Sequence, residues 1–253
     1  MMRNQLKPKL AQGKTVIGCV VTLGSPTVAE VLASVGLDFL WFDMEHGPLG
    51  LESIQAMLAA TNGRGVSPIV RVPWNDPVII KRVLDIGPEG VLIPLVNTQA
   101  EAERAVKACK YPPAGIRGVG LGRAHGYGLD FANYLATADK ELMVILQIEH
   151  IEAVNNVEKI LTVPGIDLLF VGPYDLSGSM GRLGQTDHPE VQEAIGRVVR
   201  ACQKAKMPLG TFAGTVEAAR RAIQRGFQFV SFGVDTAHLA TAMRTQLAQI
   251  RAS

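Results

Sequence analysis

The chain holds three cysteines in 253 residues, at 19, 109 and 202, far apart and never in a CxxC spacing. Such a pattern offers neither a disulfide framework nor a zinc knuckle, and it fits a reducing cytoplasm. No apolar run approaches the length that crosses a bilayer. The amino terminus, Met1 to Lys14, carries Arg3, Lys7, Lys9 and Lys14 without the apolar stretch of a signal peptide. Charge of one sign is also missing: 25 basic and 23 acidic residues leave a net charge of +2. That balance supplies no electrostatic footprint for nucleic acid or a membrane surface, so the expected partner is a small molecule.

What is present is apolar content, 47% of residues, laid out as short runs alternating with helical patterns. Strands are expected at 15–23, in the apolar start of the stretch 39–48, and at 68–72, 90–96, 142–148, 167–171, 209–213 and 227–232, each bounded by turn residues. Helical spacing fills 26–33, 51–60, 99–110, 151–161, 189–205, 215–225 and 236–250, and Asn75-Asp76-Pro77 caps a further helix. Residues 2–12 read as a short helix closing the bottom of a barrel, and 130–139 as another on a loop. The alternation predicts an α/β fold, a (β/α)8 TIM barrel, with 1–253 as a single domain. The stretch 111–128 (YPPAGIRGVGLGRAHGYG) breaks the pattern as a long loop, and loops of that length in a compact domain usually carry function. Its GVGLG follows no strand and opens no helix, which argues against a dinucleotide site.

A barrel enzyme places reactive groups at the carboxyl ends of its strands. The polar residues there are Asp43, Glu45 and His46 after the second strand, Arg71 on the third, and Gln147 and Glu149 on the fifth. Asp175 after the sixth and Asp235 after the eighth complete the set. Glu149 and Asp175 are about one βα repeat apart and should face a common point, where two carboxylates and water suit a hard divalent cation. Either could equally cap the helix that follows it. His46 reads as a neutral-pH base or as an ordinary loop histidine, and Arg71 as an enolate-stabilising cation or as half of an ion pair inside the barrel. His150, His188 and His238 read as structural. No lysine ends an apolar strand, which removes the Schiff-base route to an enolate equivalent.

The ordered motifs FDMEHGP at 42–48, RVPWNDP at 71–77, KRVLDIG at 81–87, GVLIPLV at 90–96 and YPPAGIRGVG at 111–120 resemble the HpcH/HpaI aldolases. QIE at 147–149, PGIDLLFVGPYDLSGSMG at 164–181 and FVSFGVDT at 229–236 extend the resemblance over nearly the whole chain. It implies a class II aldolase that cleaves 4-hydroxy-2-oxo acids, or 2-keto-3-deoxy sugar acids, to pyruvate and an aldehyde through a metal-bound enolate. By resemblance Glu149 and Asp175 bind Mg²⁺, Mn²⁺ or Co²⁺, and Arg71 contacts the keto oxygen. His46, oriented by Asp85, is the base. Gly172, Pro173 and the backbone N–H groups of Tyr174 and Asp175 hold the substrate carboxylate, with Gln147 and Asp43 behind them. It also implies a homo-oligomer, a hexamer, whose last helix packs on a neighbouring subunit. From the pattern alone, Asp85 lies in a helix rather than at a strand end.

Two departures from the family stand out. Tyr174 replaces a small residue and Phe212 adds a second aromatic, which predicts a tight aldehyde pocket favouring short or hydroxylated acceptors. Gly126 stands where the family carries an arginine, so recognition of an acidic acceptor tail would fall to Arg123 or His125. The competing readings are a CoA-ester lyase of the citrate-lyase β type and a non-catalytic metabolite-binding barrel. No basic pocket signature for a CoA tail is present, and the intact set of His46, Arg71, Glu149 and Asp175 speaks against loss of catalysis.

Overall fold

A computed structural model describes residues 4–252. Strands β1 (Val16–Val21), β2 (Phe39–Asp43), β3 (Ser67–Arg71), β4 (Gly90–Ile93), β5 (Met143–Ile148), β6 (Leu168–Val171), β7 (Leu209–Ala213) and β8 (Phe229–Val234) run parallel in chain order. Pairing of β8 with β1 closes them into a barrel, the TIM-barrel fold expected from the alternation. Around the barrel stand α2 (Pro26–Ala33), α3 (Leu51–Ala60), α4 (Pro77–Asp85), α5 (Gln99–Cys109), α6 (Phe131–Glu141), α7 (Ile151–Asn155) and α8 (Val157–Ile160). They continue with α9 (Pro173–Ser179), α10 (Pro189–Ala205), α11 (Val216–Gln224) and α12 (Asp235–Arg251). None of the described helices is long and apolar enough to cross a membrane.

Local chemistry sets several boundaries. Asp76 accepts hydrogen bonds from Val78 N and Ile79 N at 2.7 and 3.1 Å, with Pro77 as the first helical residue of α4. Thr98 and Glu101 form a capping box at α5. Strand β4 stops at Ile93, short of the expected Val96, because Pro94 has no N–H to donate and Leu95 turns into the left-handed region at φ 53°. The helix expected over 151–161 is split at Asn156, whose side chain donates to Asn97 O at 3.0 Å. The expected amino-terminal helix is α1 (Leu6–Ala11), and residues 2 and 3 of that expectation lie outside the described residues. Leu6 and Leu10 join the apolar cluster inside the barrel, so α1 plugs the amino-terminal ends of the strands.

The interior is filled by aromatic rings set against glycines. Phe39 stacks on Phe229 with centroids 3.8 Å apart, and Phe170 meets Phe229 edge-on at 6.2 Å. Gly18 on β1 is the register partner of Phe39, and a side chain there would occupy the space of that ring. Gly210 on β7 does the same for Phe170, from which a β-carbon would stand 2.8 Å away. With the lower barrel packed solid, a ligand can enter only at the carboxyl ends.

Candidate active site

At those ends Asp43 and Arg71 are direct register partners on β2 and β3. Arg71 Nε donates to Asp43 Oδ1 at 2.8 Å and Nη2 to Oδ2 at 2.5 Å, a two-pronged ion pair in which both side chains are buried. Asp43 Oδ1 also accepts from Glu45 N at 3.0 Å and His46 N at 3.4 Å, folding the turn after β2 back over the barrel. Arg71 Nη1 lies 2.9 Å from Glu45 Oε2, and its guanidinium carbon sits 4.7 Å above the Trp41 ring. Each Nη nitrogen keeps an N–H that Asp43 and Glu45 do not use. The ion-pair reading and the enolate reading of Arg71 are therefore compatible.

Across the mouth, Glu149 is 3% exposed and its Oε1 accepts from Leu95 N at 2.8 Å. Its Oε2 takes a short hydrogen bond from Gln147 Nε2, while Gln147 Oε1 is buried without a partner. Glu149 does not cap α7, a role taken by His150, which accepts from Glu152 N at 3.1 Å. Gly172 makes room for this carboxylate, since a β-carbon there would stand 3.1 Å from Glu149 Oε2. Asp175 follows in the first turn of α9, exposed at the same mouth. Burial, opposed by Leu95 N–H and reinforced by the Glu45 and Asp175 carboxylates, pushes Glu149 up to about 7. Burial likewise raises Glu45 to about 7 in spite of Arg71.

A cavity of about 600 Å³ opens here, lined among others by Trp41, His46, Arg71, Gln147, Tyr174 and Phe212. The two rings of Tyr174 and Phe212 stand 6.4 Å apart on one wall. His46 is at the rim, its side chain 64% exposed and its Nε2 3.9 Å from Glu45 Oε2. A larger cavity, about 770 Å³, lies at the opposite end of the barrel between Gln5, Asn62, Glu89 and Arg123 and contains none of these groups. Among the described residues, no three of His, Cys, Asp and Glu gather into a metal cage. An ion held by Glu149 and Asp175 would therefore draw its remaining oxygen ligands from water and substrate.

Some expected residues are elsewhere. Asp235 ties β8 to β1, accepting from Thr22 N, Thr22 Oγ1 and Leu23 N, and so holds the barrel rather than a ligand. Asp85 is the last residue of α4, which runs down to the amino-terminal end of β4, so within one chain it sits at the far end from His46. Its partner is Arg117, Nη2 to Oδ1 at 3.2 Å. The loop 111–128 is at that far end too. Arg123 donates to Ile86 O at 2.9 Å and Asn62 Oδ1 at 2.9 Å, and buried His125 accepts from Gly122 N through Nδ1. Neither reaches the cavity of its own chain. His188 caps α10 and His238 contacts Phe232 O, both structural as expected.

The backbone of Leu95 was invisible in the sequence. It takes part through an N–H, not a side chain, and its signal was only that Pro94 ends an apolar run early. Glu45 was visible at the strand end but its contact with Arg71 was not.

A parallel barrel with acids, a guanidinium and an imidazole gathered at the carboxyl ends of its strands carries its polar groups where barrel enzymes carry theirs. The family model for HpcH/HpaI aldolase/citrate lyase matches residues 17–242, and the chain belongs to that family. It is 42% identical over 233 residues to a 5-keto-4-deoxy-D-glucarate aldolase of Shigella boydii serotype 18, covering 92% of this chain and 90% of the relative. The structure of an HpcH/HpaI aldolase/citrate lyase family protein from Burkholderia cenocepacia J2315 superposes with a TM-score of 0.95 at 37% identity, covering 98% of this chain and 99% of the other. An HpcH/HpaI aldolase from Desulfitobacterium hafniense DCB-2 gives 0.90 at 33% identity, with 99% and 97% covered. The protein is a carbon–carbon lyase, an aldolase.

The raised Glu149 predicts an inverted pH dependence of stability in chelator. Folded Glu149 takes its proton near pH 7 and the unfolded chain near the ordinary 4.5. Its contribution is thus fully present below about pH 4.5 and lost as pH rises through 7, on the order of 3 kcal/mol. In EDTA, Glu149→Gln is expected to flatten the fall in urea midpoint between pH 5 and 8. Parallel wild-type and variant curves would show that the carboxyl is not so placed.

Proposed function

We propose that this aldolase depends on a divalent metal and reversibly cleaves 4-hydroxy-2-oxo acids to pyruvate and an aldehyde. The observation that carries the reading is Arg71, locked by Asp43 and Glu45 beside the Glu149–Gln147 pair. When the C3–C4 bond breaks, its electrons pass through C2 to the keto oxygen, and the C4 hydroxyl gives up its proton as the aldehyde forms. A guanidinium fixed before the reaction stabilises that oxyanion without reorganising. His46 at the rim takes the hydroxyl proton through water, and C3 of the enolate is then protonated to pyruvate.

Glu149 and Asp175 would hold Mg²⁺, Mn²⁺ or Co²⁺, which when bound supplies Lewis-acid polarisation of the 2-oxo group. The donors fit: they are all oxygen, Glu149 is buried beside the Glu45 and Asp175 carboxylates, and Gln147 Oε1 is left without a partner. The first-turn N–H groups of Tyr174 and Asp175 have no intrahelical acceptor and suit the substrate carboxylate, with Gly172 and Pro173 forming the floor. Relatives named for 5-keto-4-deoxy-D-glucarate make that sugar diacid the leading substrate. Removing pyruvate from it leaves a short, hydroxylated aldehyde acid, which matches the narrow wall made by Tyr174 and Phe212. A CoA-ester lyase would need a basic groove for the nucleotide tail, and this cavity has only Arg71 and His46 as basic lining groups.

The reading extends to a second copy of the chain. Asp85 cannot meet His46 within one chain, so we propose that it orients His46 of a neighbouring copy in a homo-oligomer, a hexamer by resemblance. In α12 only Asp235 is buried, and Leu239, Met243 and Leu247 are 60%, 59% and 43% exposed along one stripe. That stripe suits packing on a neighbouring subunit. A single functional unit over 1–253 and a cytoplasmic location complete the proposal, the latter in keeping with Cys19, Cys109 and Cys202 all free and buried.

Release of pyruvate from 5-keto-4-deoxy-D-glucarate, followed through lactate dehydrogenase, should stop in EDTA and return with Mg²⁺ or Mn²⁺. Arg71→Ala should lose on the order of 10²–10³ in kcat. Turnover unchanged in EDTA, or a pyruvate adduct trapped by borohydride, would sink the metal reading. In the synthetic direction short hydroxylated aldehydes should outpace long dicarboxylic ones, and equal rates would remove the aromatic wall from the account. Co-refolded His46→Ala and Asp85→Asn chains should recover about a quarter of wild-type activity, as random pairing across an interface demands. No recovery would place the two residues in separate roles.

A further inference from the structure

Arg117 has no part in the chemistry above, yet it is the bulkiest of the fully buried side chains among the described residues. Taking a guanidinium out of water costs several kcal/mol unless it is met by charge and hydrogen bonds. Here it is met on several sides. Nη2 donates to Asp85 Oδ1 at 3.2 Å, and Nη1 donates to the Tyr134 hydroxyl at 3.1 Å. The guanidinium carbon lies 4.5 Å from the Tyr111 ring and 5.6 Å from that of Tyr134. That is a rigid mount for one carboxylate oxygen.

The glycine-rich segment that follows closes over the same carboxylate. A β-carbon at Gly122 would stand 2.7 Å from Asp85 O, and one at Gly120 would stand 3.7 Å from Asp85 Oδ2. GVGLG is thus a wrap for the end of α4, not a phosphate loop. Asp85 is left with its side chain 28% exposed and Oδ2 without a hydrogen bond among the described residues. Val119 and Leu121 beside it are 56% and 72% exposed. One oxygen is held by Arg117, and the other lies under the loop at Gly120 on a side chain that is still part-exposed.

We infer that Arg117 is a positioning residue of the aldolase, holding Asp85 Oδ1 so that Oδ2 is presented at fixed angle to His46 of a neighbouring copy. The inference rests on the reading of Asp85 given above. A clamp that only stabilised the fold could have paired Arg117 with a fully buried acid. Instead the pair spans the boundary between interior and surface, with the loop trimmed to glycine where it passes the free oxygen.

The test uses the full chain with saturating Mn²⁺ and compares wild type, Arg117→Lys, Asp85→Asn and the double variant, with melting curves beside each. Lysine keeps the charge but not the fork that reaches Asp85 and Tyr134 together. Arg117→Lys is expected to lose about 10- to 100-fold in kcat with KM for pyruvate held within about twofold, as a misplaced group does. The double variant should be no slower than Asp85→Asn, because the arginine acts through the aspartate. Wild-type kcat in Arg117→Lys, or losses that multiply in the double variant, would overturn the inference while leaving Asp85 its role. Wild-type kcat in Asp85→Asn would overturn the reading of Asp85 itself. Should the lysine variant not fold, Arg117→Met, close in volume and without a buried charge, takes its place under the same criteria.

Discussion

The ion pair between Arg71 and Asp43 is the constraint on which the site depends. Two adjacent strand ends in register bring opposite charges together in a nearly dry environment, where removing either partner would leave the other's charge buried and unpaired. Because the pairing is two-pronged, the guanidinium plane is set before any ligand arrives. Asp43 then spends its remaining acceptor capacity on the backbone of Glu45 and His46, so the same carboxylate aims both the cation and the turn that carries the imidazole. Loss of Asp43 would release Arg71 and unfold that turn together.

Opposite this cation the barrel gathers negative charge it cannot balance by itself. Glu45, Glu149 and Asp175 repel one another, and one guanidinium already engaged by Asp43 cannot answer all of them. Leu95 accepts a left-handed conformation, costing about 1 kcal/mol for a residue with a β-carbon, and in return points its N–H at Glu149. Strain of that kind persists where the surroundings over-determine it, and here it steadies a buried carboxylate.

The two ends of the barrel divide the labour. Rings packed against Gly18 and Gly210 seal the interior below the site, so the open cavity with its charged groups is left to the carboxyl ends. The other end carries Asp85, the Arg117 mount and exposed Val119 and Leu121, the surface on which the proposed second copy would dock. An α12 that buries almost nothing within its own chain points the same way.

Much of this was legible in the sequence. Period and punctuation located the strands, since a buried parallel strand must be apolar and must end where polar residues begin, and Asp76-Pro77 announced α4 through its cap. The polar residues at 43–46, 71, 147–149 and 175 were readable as a group because a barrel brings all strand ends to one rim. Other features were beyond the pattern. Helix α9 was hidden because its few residues, PYDLSGS, carry no amphipathic period, and Asn156 broke a helix through a contact with Asn97 that no local rule contains. The sequence by itself determined which residues could be reactive and on which strand each would lie, because those depend on side-chain chemistry and local periodicity. Only the tertiary structure decided that Leu95 serves through its backbone, that Asp235 is a tie, and that Asp85 stands a barrel's length from His46, because contact between distant segments is set by closure of the barrel and not by neighbours along the chain.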